Sequence, residues 1–161
     1  QNVMITSFQQ YFKLVEYFSE FTKERMALAM GAQNLIQIFD EKYYRNLSGG
    51  ILEAFGKLFY KDLKVYMYPS HNPINREYIT SENLIVHPRM KELYKFFKHN
   101  GKLVDIKVTD KEILDIFSRT VLKKIIKGEE GWEEMLPEGI SDIIKQKRLF
   151  GYSRSRVKDK H

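Results

Sequence analysis

The sequence predicts an α/β protein: a small, mostly parallel sheet of about four strands flanked by helices, helix-rich, with the proportions of half a Rossmann-like unit. Three observations predict it. Segments whose apolar residues recur at helical spacing dominate the chain. Short apolar runs without that spacing separate them, at residues 3–5, 25–31, 63–68 and 103–106. Gly31 and Pro69 close the two longest of these runs. Helices alternating with strands favour a parallel sheet over an α+β arrangement, which is the other reading.

Each element has its own reason. Val3-Met4-Ile5 is short and apolar, and Thr6-Ser7 offers an N-cap for a helix carrying Phe8, Tyr11, Phe12, Val15 and Phe18. Arg25-Met26-Ala27-Leu28-Ala29-Met30-Gly31 has a composition that permits a helix, but its place before the Gly31 break suits a buried parallel strand. Residues 33–44 place Leu35, Ile36, Phe39 and Tyr43 on one helical face, and Ile51, Leu52, Phe55, Leu58 and Phe59 mark the next helix. Leu63, Val65 and Met67 alternate with Lys64, Tyr66 and Tyr68, a strand pattern closed by Pro69. Residues 70–81 are polar and turn-rich, hence a loop.

Pro88 suits a first helical position, Leu93, Phe96 and Phe97 supply the buried stripe, and Asn100-Gly101 stops that helix. Leu103-Val104-Asp105-Ile106 reads as a strand. Thr109-Asp110 caps a helix over 113–117, and Ser118 caps another that ends at Gly128. Trp132, Met135 and Leu136 form an apolar turn before Pro137, and Ile140, Ile143 and Ile144 mark a last helix. Residues 1–148 are predicted as one α/β domain and 149–161 as a basic tail.

The totals bound the function. At 43 % hydrophobic and 30 % charged, the 161 residues suffice for a real core. No apolar run has the length of a membrane span. There is no Cys, so no disulfide framework and no thiolate chemistry. That fits a reducing, intracellular and cytoplasmic setting. The chain begins Gln1-Asn2-Val3-Met4-Ile5-Thr6, without an initiator Met or the basic start of a signal peptide, as expected of a piece of a longer protein. Residues 142–161 hold a net +5 of the total +6, so the body is almost neutral. A nucleic-acid interface needs a basic face on the body, and that reading ranks third.

Ligands of open parallel sheets bind at the carboxyl ends of the strands. Gly31-Ala32-Gln33 follows one such end and opens a helix, with Gly31 and Gln33 as candidate anion contacts, but it lacks the further glycines of a dinucleotide fingerprint. An ordinary strand-to-helix turn explains it better. Ser48-Gly49-Gly50 is the better candidate. Ser48 offers a hydroxyl, Gly49 and Gly50 permit close approach to helix N–H groups, and Glu53 is spaced to complete a cap. Arg45 just upstream suits a phosphate, and Tyr44 suits stacking on a base. The plain alternative is a glycine break between two helices beside packed tyrosines. No Gly-Lys-Ser/Thr ending follows, which excludes a Walker-type loop.

His71, in the loop after a strand, is the best-placed general acid–base residue, although such a histidine is more often simply exposed. His87 belongs near a helix cap, and His99 suits a helix C-terminus. No histidines pair at metal-ligand spacing, so no metal site is predicted, and no cofactor is implied. Asp40 and Glu41 are adjacent on a helix and point apart. Phe8, Phe12, Phe55, Phe59, Phe96 and Phe97 fall at core spacing. Trp132 either plugs the edge of a core or anchors a partner surface, and Arg154 and Arg156 in the tail are candidate contacts for an acidic partner.

Asp40-Glu41-Lys42-Tyr43-Tyr44, Ser48-Gly49-Gly50-Ile51-Leu52-Glu53, Lys64-Val65-Tyr66-Met67-Tyr68-Pro69 and Arg148-Leu149-Phe150-Gly151-Tyr152 together resemble the C-terminal part of large bacterial nicotinate-mononucleotide-adenylyltransferase-like proteins. Those enzymes carry a His-x-Gly-His phosphate motif, and this sequence has none, so the resemblance implies an accessory half and no catalytic residue. Two functions stand against each other, and the first is the favoured one. One is a ligand-binding domain of a larger protein, handling a phosphorylated or nucleotide-like small molecule. The other is a non-catalytic structural or interaction subunit of a complex.

Overall fold

The structure is a computed structural model that describes residues 4–72, 74–109 and 112–153. Backbone contacts cluster into two compact units, Gln1–Val108 and Thr109–His161.

The first unit is α/β. Helix α1 (Tyr11–Phe21) precedes β1 (Ala27–Gly31), α2 (Ala32–Ile38) and α3 (Gly50–Leu58). Strand β2 (Lys64–Tyr68) is followed by a hairpin of β3 (Ser70–His71) and β4 (Tyr78–Ile79), then α4 (Lys91–His99) and β5 (Leu103–Asp105). β1, β2 and β5 form a parallel sheet in that order, with Leu28 beside Val65, Val65 beside Leu103, and Gly31 beside Tyr68. Period-two alternation sends Val65 and Met67 fully inside, while Lys64, Tyr66 and Tyr68 stay partly exposed on the other face.

Aromatic rings hold the helical layer. Phe55 of α3 meets Phe39, Phe59 and Phe97 edge-on, with centroids 5.0, 5.6 and 5.1 Å away. Such pairs add stabilisation beyond the area they bury. α1 packs on α3 through Phe12 and Val15, and Lys57 bridges Glu16 and Glu53 at 3.4 and 3.2 Å across the surface.

Several expectations are corrected here. The parallel sheet has three strands rather than about four, because Met4 and Ile5 lie exposed outside any strand. Thr6-Ser7 does not cap α1. Gln10 holds the cap position, and Thr6 Oγ1 accepts the Phe8 N–H in a local turn instead. The helix expected over 33–44 stops at Ile38 and restarts as a 3-10 turn, Glu41–Tyr44, capped by Asp40. That break shifts the register, so Tyr44 is buried and Tyr43 exposed. Phe96 is 59 % exposed and Phe8 41 %, so neither is core. Neighbours on a helix point about 100° apart, and Phe97 takes the inner position instead of Phe96. The loop at 70–81 contains the β3–β4 hairpin, whose turn is built by Asn72 and Asn75 side chains accepting the N–H groups of Ile74 and Glu77.

The second unit is helical. α5 (Ser118–Lys127) ends at Gly128, which takes the left-handed conformation at φ +67°, and α6 (Ile140–Lys147) follows a 3-10 turn, Glu133–Met135. Ser118 is the first residue inside α5 and not its cap. A 3-10 turn, Glu112–Asp115, stands where a helix over 113–117 was expected, and Asp110 lies outside the described residues. Val121, Ile125, Trp132 and Ile144 form the core cluster, with Tyr152 edge-on to Trp132 at 6.0 Å.

Candidate functional site

The carboxyl edge of the parallel sheet brings Gly31 and His71 to one end of the first unit. Gly31 closes β1 beside Tyr68, and His71 lies three residues beyond Tyr68 in β3. Gly31 has ordinary extended geometry, and a Cβ placed there would touch nothing within 4 Å, so the fold itself does not require glycine. Gln33 is exposed in the first turn of α2. His71 is half-buried and stacks edge-on against Tyr78 at 5.8 Å.

Asp105, at the end of β5, is a residue that the sequence reading passed over. Its Oδ1 accepts the Ser81 N–H and its Oδ2 accepts the Ser81 hydroxyl, each at 2.8 Å. Tyr94 of α4 donates its hydroxyl to the Ser81 carbonyl at 2.7 Å. Ser81 is only 3 % exposed, so these bonds satisfy a buried polar residue. Burial raises the Tyr94 phenol above its ordinary value, and the nearby Asp105 charge adds to the effect. Both of its carboxylate oxygens are thus engaged in holding a loop.

At the start of α3, the Gly49 N–H donates to Glu53 Oε2 at 3.0 Å, and the Gly50 N–H donates to the Leu47 carbonyl at 3.0 Å. The Gly49 bond, followed by Lys57, holds the Glu53 carboxyl below its ordinary value. A Cβ on Gly49 would lie 2.9 Å from Glu53 Cβ, and Gly50 sits at φ +56°, so each glycine has a steric reason to be there. A carboxylate thus stands where an anion would have to dock. Ser48 and Arg45 are exposed, and the Arg45 guanidinium makes no ion pair or hydrogen bond among the described residues. Tyr44 is not available for stacking on a base. It is 6 % exposed, its hydroxyl donates to the Ile38 carbonyl at 2.8 Å, and burial pushes its pKa up to about 12.

The second unit holds an open groove of about 530 Å3 between α5 and α6. Its floor is apolar: Ile116, Leu122, Met135, Ile140, Ile144 and Phe150 line it. Leu122, Ile140 and Phe150 are 40, 38 and 59 % exposed, an unusual concentration for so small a unit. Several cations of this unit are already engaged. Lys124 donates to the Glu130 carbonyl, Lys127 pairs with Glu129, and Lys145 pairs with Glu133 beside the Trp132 ring. Arg119 lines the groove, and Lys123 lies one helical turn further along α5. Lys147 lies two turns beyond Ile140 on α6. These three have no partner among the described residues.

Trp132 is 2 % exposed and therefore serves as the core plug of this unit rather than a surface anchor. Arg154 and Arg156 lie outside the described residues. Among the described residues, no helix is long and apolar enough to cross a membrane. No protein-family model, no curated protein and no solved structure matches this chain.

Proposed function

We propose that this chain is a non-catalytic interaction subunit, and that its second unit receives an acidic amphipathic helix of a partner protein between α5 and α6. One observation carries the reading: an apolar groove between α5 and α6 with half-exposed Leu122, Ile140 and Phe150 in its lining and the unpartnered Arg119 at its wall. A trough of this kind suits a helix that offers apolar anchors at i, i+3, i+4 and i+7. Acidic residues flanking those anchors would meet Arg119, Lys123 and Lys147, which favours encounter and register more than raw affinity. A lipid surface rests on what protrudes from a protein, and here the apolar residues line a concavity.

The test is fluorescence anisotropy with a labelled helical peptide bearing leucines at that spacing and glutamates between them. Saturable binding that weakens with salt and falls about tenfold or more for Leu122→Asp is expected. Equal affinity for wild type and Leu122→Asp would sink the proposal. So would anionic vesicles that displace the peptide while retaining it poorly themselves.

A phosphorylated or nucleotide-like ligand is the second reading. The exposed, unpartnered Arg45 and the open space over Gly31 favour it, as does the resemblance to nucleotidyltransferase-like proteins. The Glu53 carboxylate on Gly49 weighs against it. Calorimetric titration with nicotinate mononucleotide distinguishes the two readings, because binding lost in both Arg45→Ala and Gly31→Val would place the ligand in the first unit.

A further inference from the structure

A second open surface lies in the first unit, on residues other than those of the α5–α6 groove. Residues 84–87 carry no helix, turn or bend between the Ser81 turn and the 3-10 turn Pro88–Met90 that leads into α4. Leu84 and Val86 are buried, whereas Ile85 is 86 % exposed and His87 is exposed. That is the in–out alternation of a strand. Yet among the described residues no hydrogen bond reaches the backbone N–H or C=O of Leu84, Ile85 or Val86. Backbone in that alternation with unused donors and acceptors is a template for another strand.

The segment is held in place before anything binds. Asp105 grips Ser81 through two bonds, Tyr94 donates to the Ser81 carbonyl, and the Asn83 side chain both donates to the Tyr78 carbonyl and accepts the Thr80 N–H. His87 Nδ1 accepts the Arg89 N–H at the other end. An edge fixed this way needs little further ordering on binding.

A groove of about 560 Å3 runs beside it, with Ile85 and Pro88 on one wall and the α4 face on the other. Lys91, Lys95 and Lys98 recur along that face at four- and three-residue spacing. Lys91 makes no ion pair among the described residues but lies near the Glu92 charge, Lys95 pairs with Glu92, and Lys98 pairs with Glu82. Surface pairs of that kind exchange readily for another carboxylate. Glu82 is the one acid lining the groove, so its balance is positive.

We infer that residues 84–86 and the lysine face of α4 form a strand-addition site for an extended acidic segment of a partner protein. The segment's backbone pairs with residues 84–86, its apolar side chains cover Ile85, and its alternate carboxylates face Lys91, Lys95 and Lys98. Main-chain bonds supply affinity in this mode, and alternate side chains supply selectivity.

The probe is a labelled peptide of about eight residues alternating valine with glutamate, read by fluorescence anisotropy against the full chain. Saturable binding is expected, with a loss of about tenfold or more when alternate peptide nitrogens are methylated, because methylation removes donors but keeps charge. Lys91→Glu combined with Lys95→Glu should weaken binding by a similar factor, and Leu122→Asp should not change it. Three results would overturn the inference: equal binding of the methylated peptide, equal binding of a scrambled peptide of the same composition, or no binding up to about 1 mM. A single-stranded oligonucleotide that binds more tightly than the peptide at the same lysines would also overturn it, in favour of a phosphate backbone. The α4 variants unfold with unchanged midpoints if the effect is on binding alone, which circular dichroism checks.

Discussion

Asp105 accepts both the N–H and the hydroxyl of Ser81 at 2.8 Å, joining the end of a central-sheet strand to a loop 24 residues away. The bond pair satisfies a serine that is 3 % exposed and orients the segment that follows it. Asp105→Asn keeps the shape but turns one acceptor into a donor facing donors. It should lower stability by about 1–3 kcal/mol, the cost of leaving buried polar groups unsatisfied. Urea unfolding measures it, and hydrogen exchange should rise at the Ser81 amide. A change too small to resolve would show that the clamp contributes nothing net.

Glu53 and Gly49 give a pH dependence with a definite sign. The Glu53 carboxyl is held below its ordinary value, first by the Gly49 N–H and then by Lys57. Its stabilising contribution is therefore present above the unfolded-state value and is lost as pH falls through the folded one. The Gly49 amide resonance should move in a single acid titration whose midpoint lies below that of an unperturbed glutamate. Glu53→Gln should abolish the movement. If the reading of an anion cradle at α3 is right instead, Glu53→Gln should create measurable phosphate binding at Gly49, because a repelling charge is gone.

Tyr44 and Tyr94 set the alkaline limit. Burial raises both phenols, Tyr44 to about 12. A raised folded-state value means that their contribution is complete below the unfolded-state value near 10 and declines above it. In the native protein, absorbance at 295 nm should show the Tyr44 and Tyr94 phenols still protonated above the value near 10 of a free phenol. Their ionisation should coincide with loss of the near-ultraviolet circular dichroism signal. Ionisation of Tyr44 and Tyr94 before any unfolding would contradict the burial.

Trp132 reports on the second unit by itself, since it is the sole tryptophan. At 2 % exposed, against Tyr152 and beneath Lys145, it should emit at short wavelength and resist quenching by iodide. Trp132→Ala should cost about 3–5 kcal/mol, enough to unfold a unit with so small a core. Quenching equal to that of free tryptophan would show that the unit does not hold this core.

The α/β class was legible because strands and helices alternate with periods that are hard to confuse at residues 51–59 and 63–68. The β1 strand was read from its setting before Gly31 rather than from its composition, which permits a helix. Tertiary geometry hid the rest. The break at Phe39–Asp40 swaps the inner tyrosine from 43 to 44, and nothing in helical spacing foretells it. Ser48-Gly49-Gly50 looks alike in sequence whether it cradles an anion or accommodates Glu53, and only the 2.9 Å approach at Gly49 distinguishes them. Asp105 and Ser81 are too far apart in sequence to be paired by eye. The α5–α6 groove is equally invisible, because Leu122 and Ile140 stand on two separate helices and line one groove only where those helices meet.

Methyl-labelled NMR tests the interaction reading most directly. With the isoleucine and leucine methyls assigned, the acidic amphipathic peptide should shift Leu122 and Ile140 in a saturable, salt-sensitive manner. Leu35, Leu58 and Leu63, buried in the other unit, should stay unmoved. Shifts confined to the first unit, or an unchanged spectrum at millimolar peptide, would contradict the account.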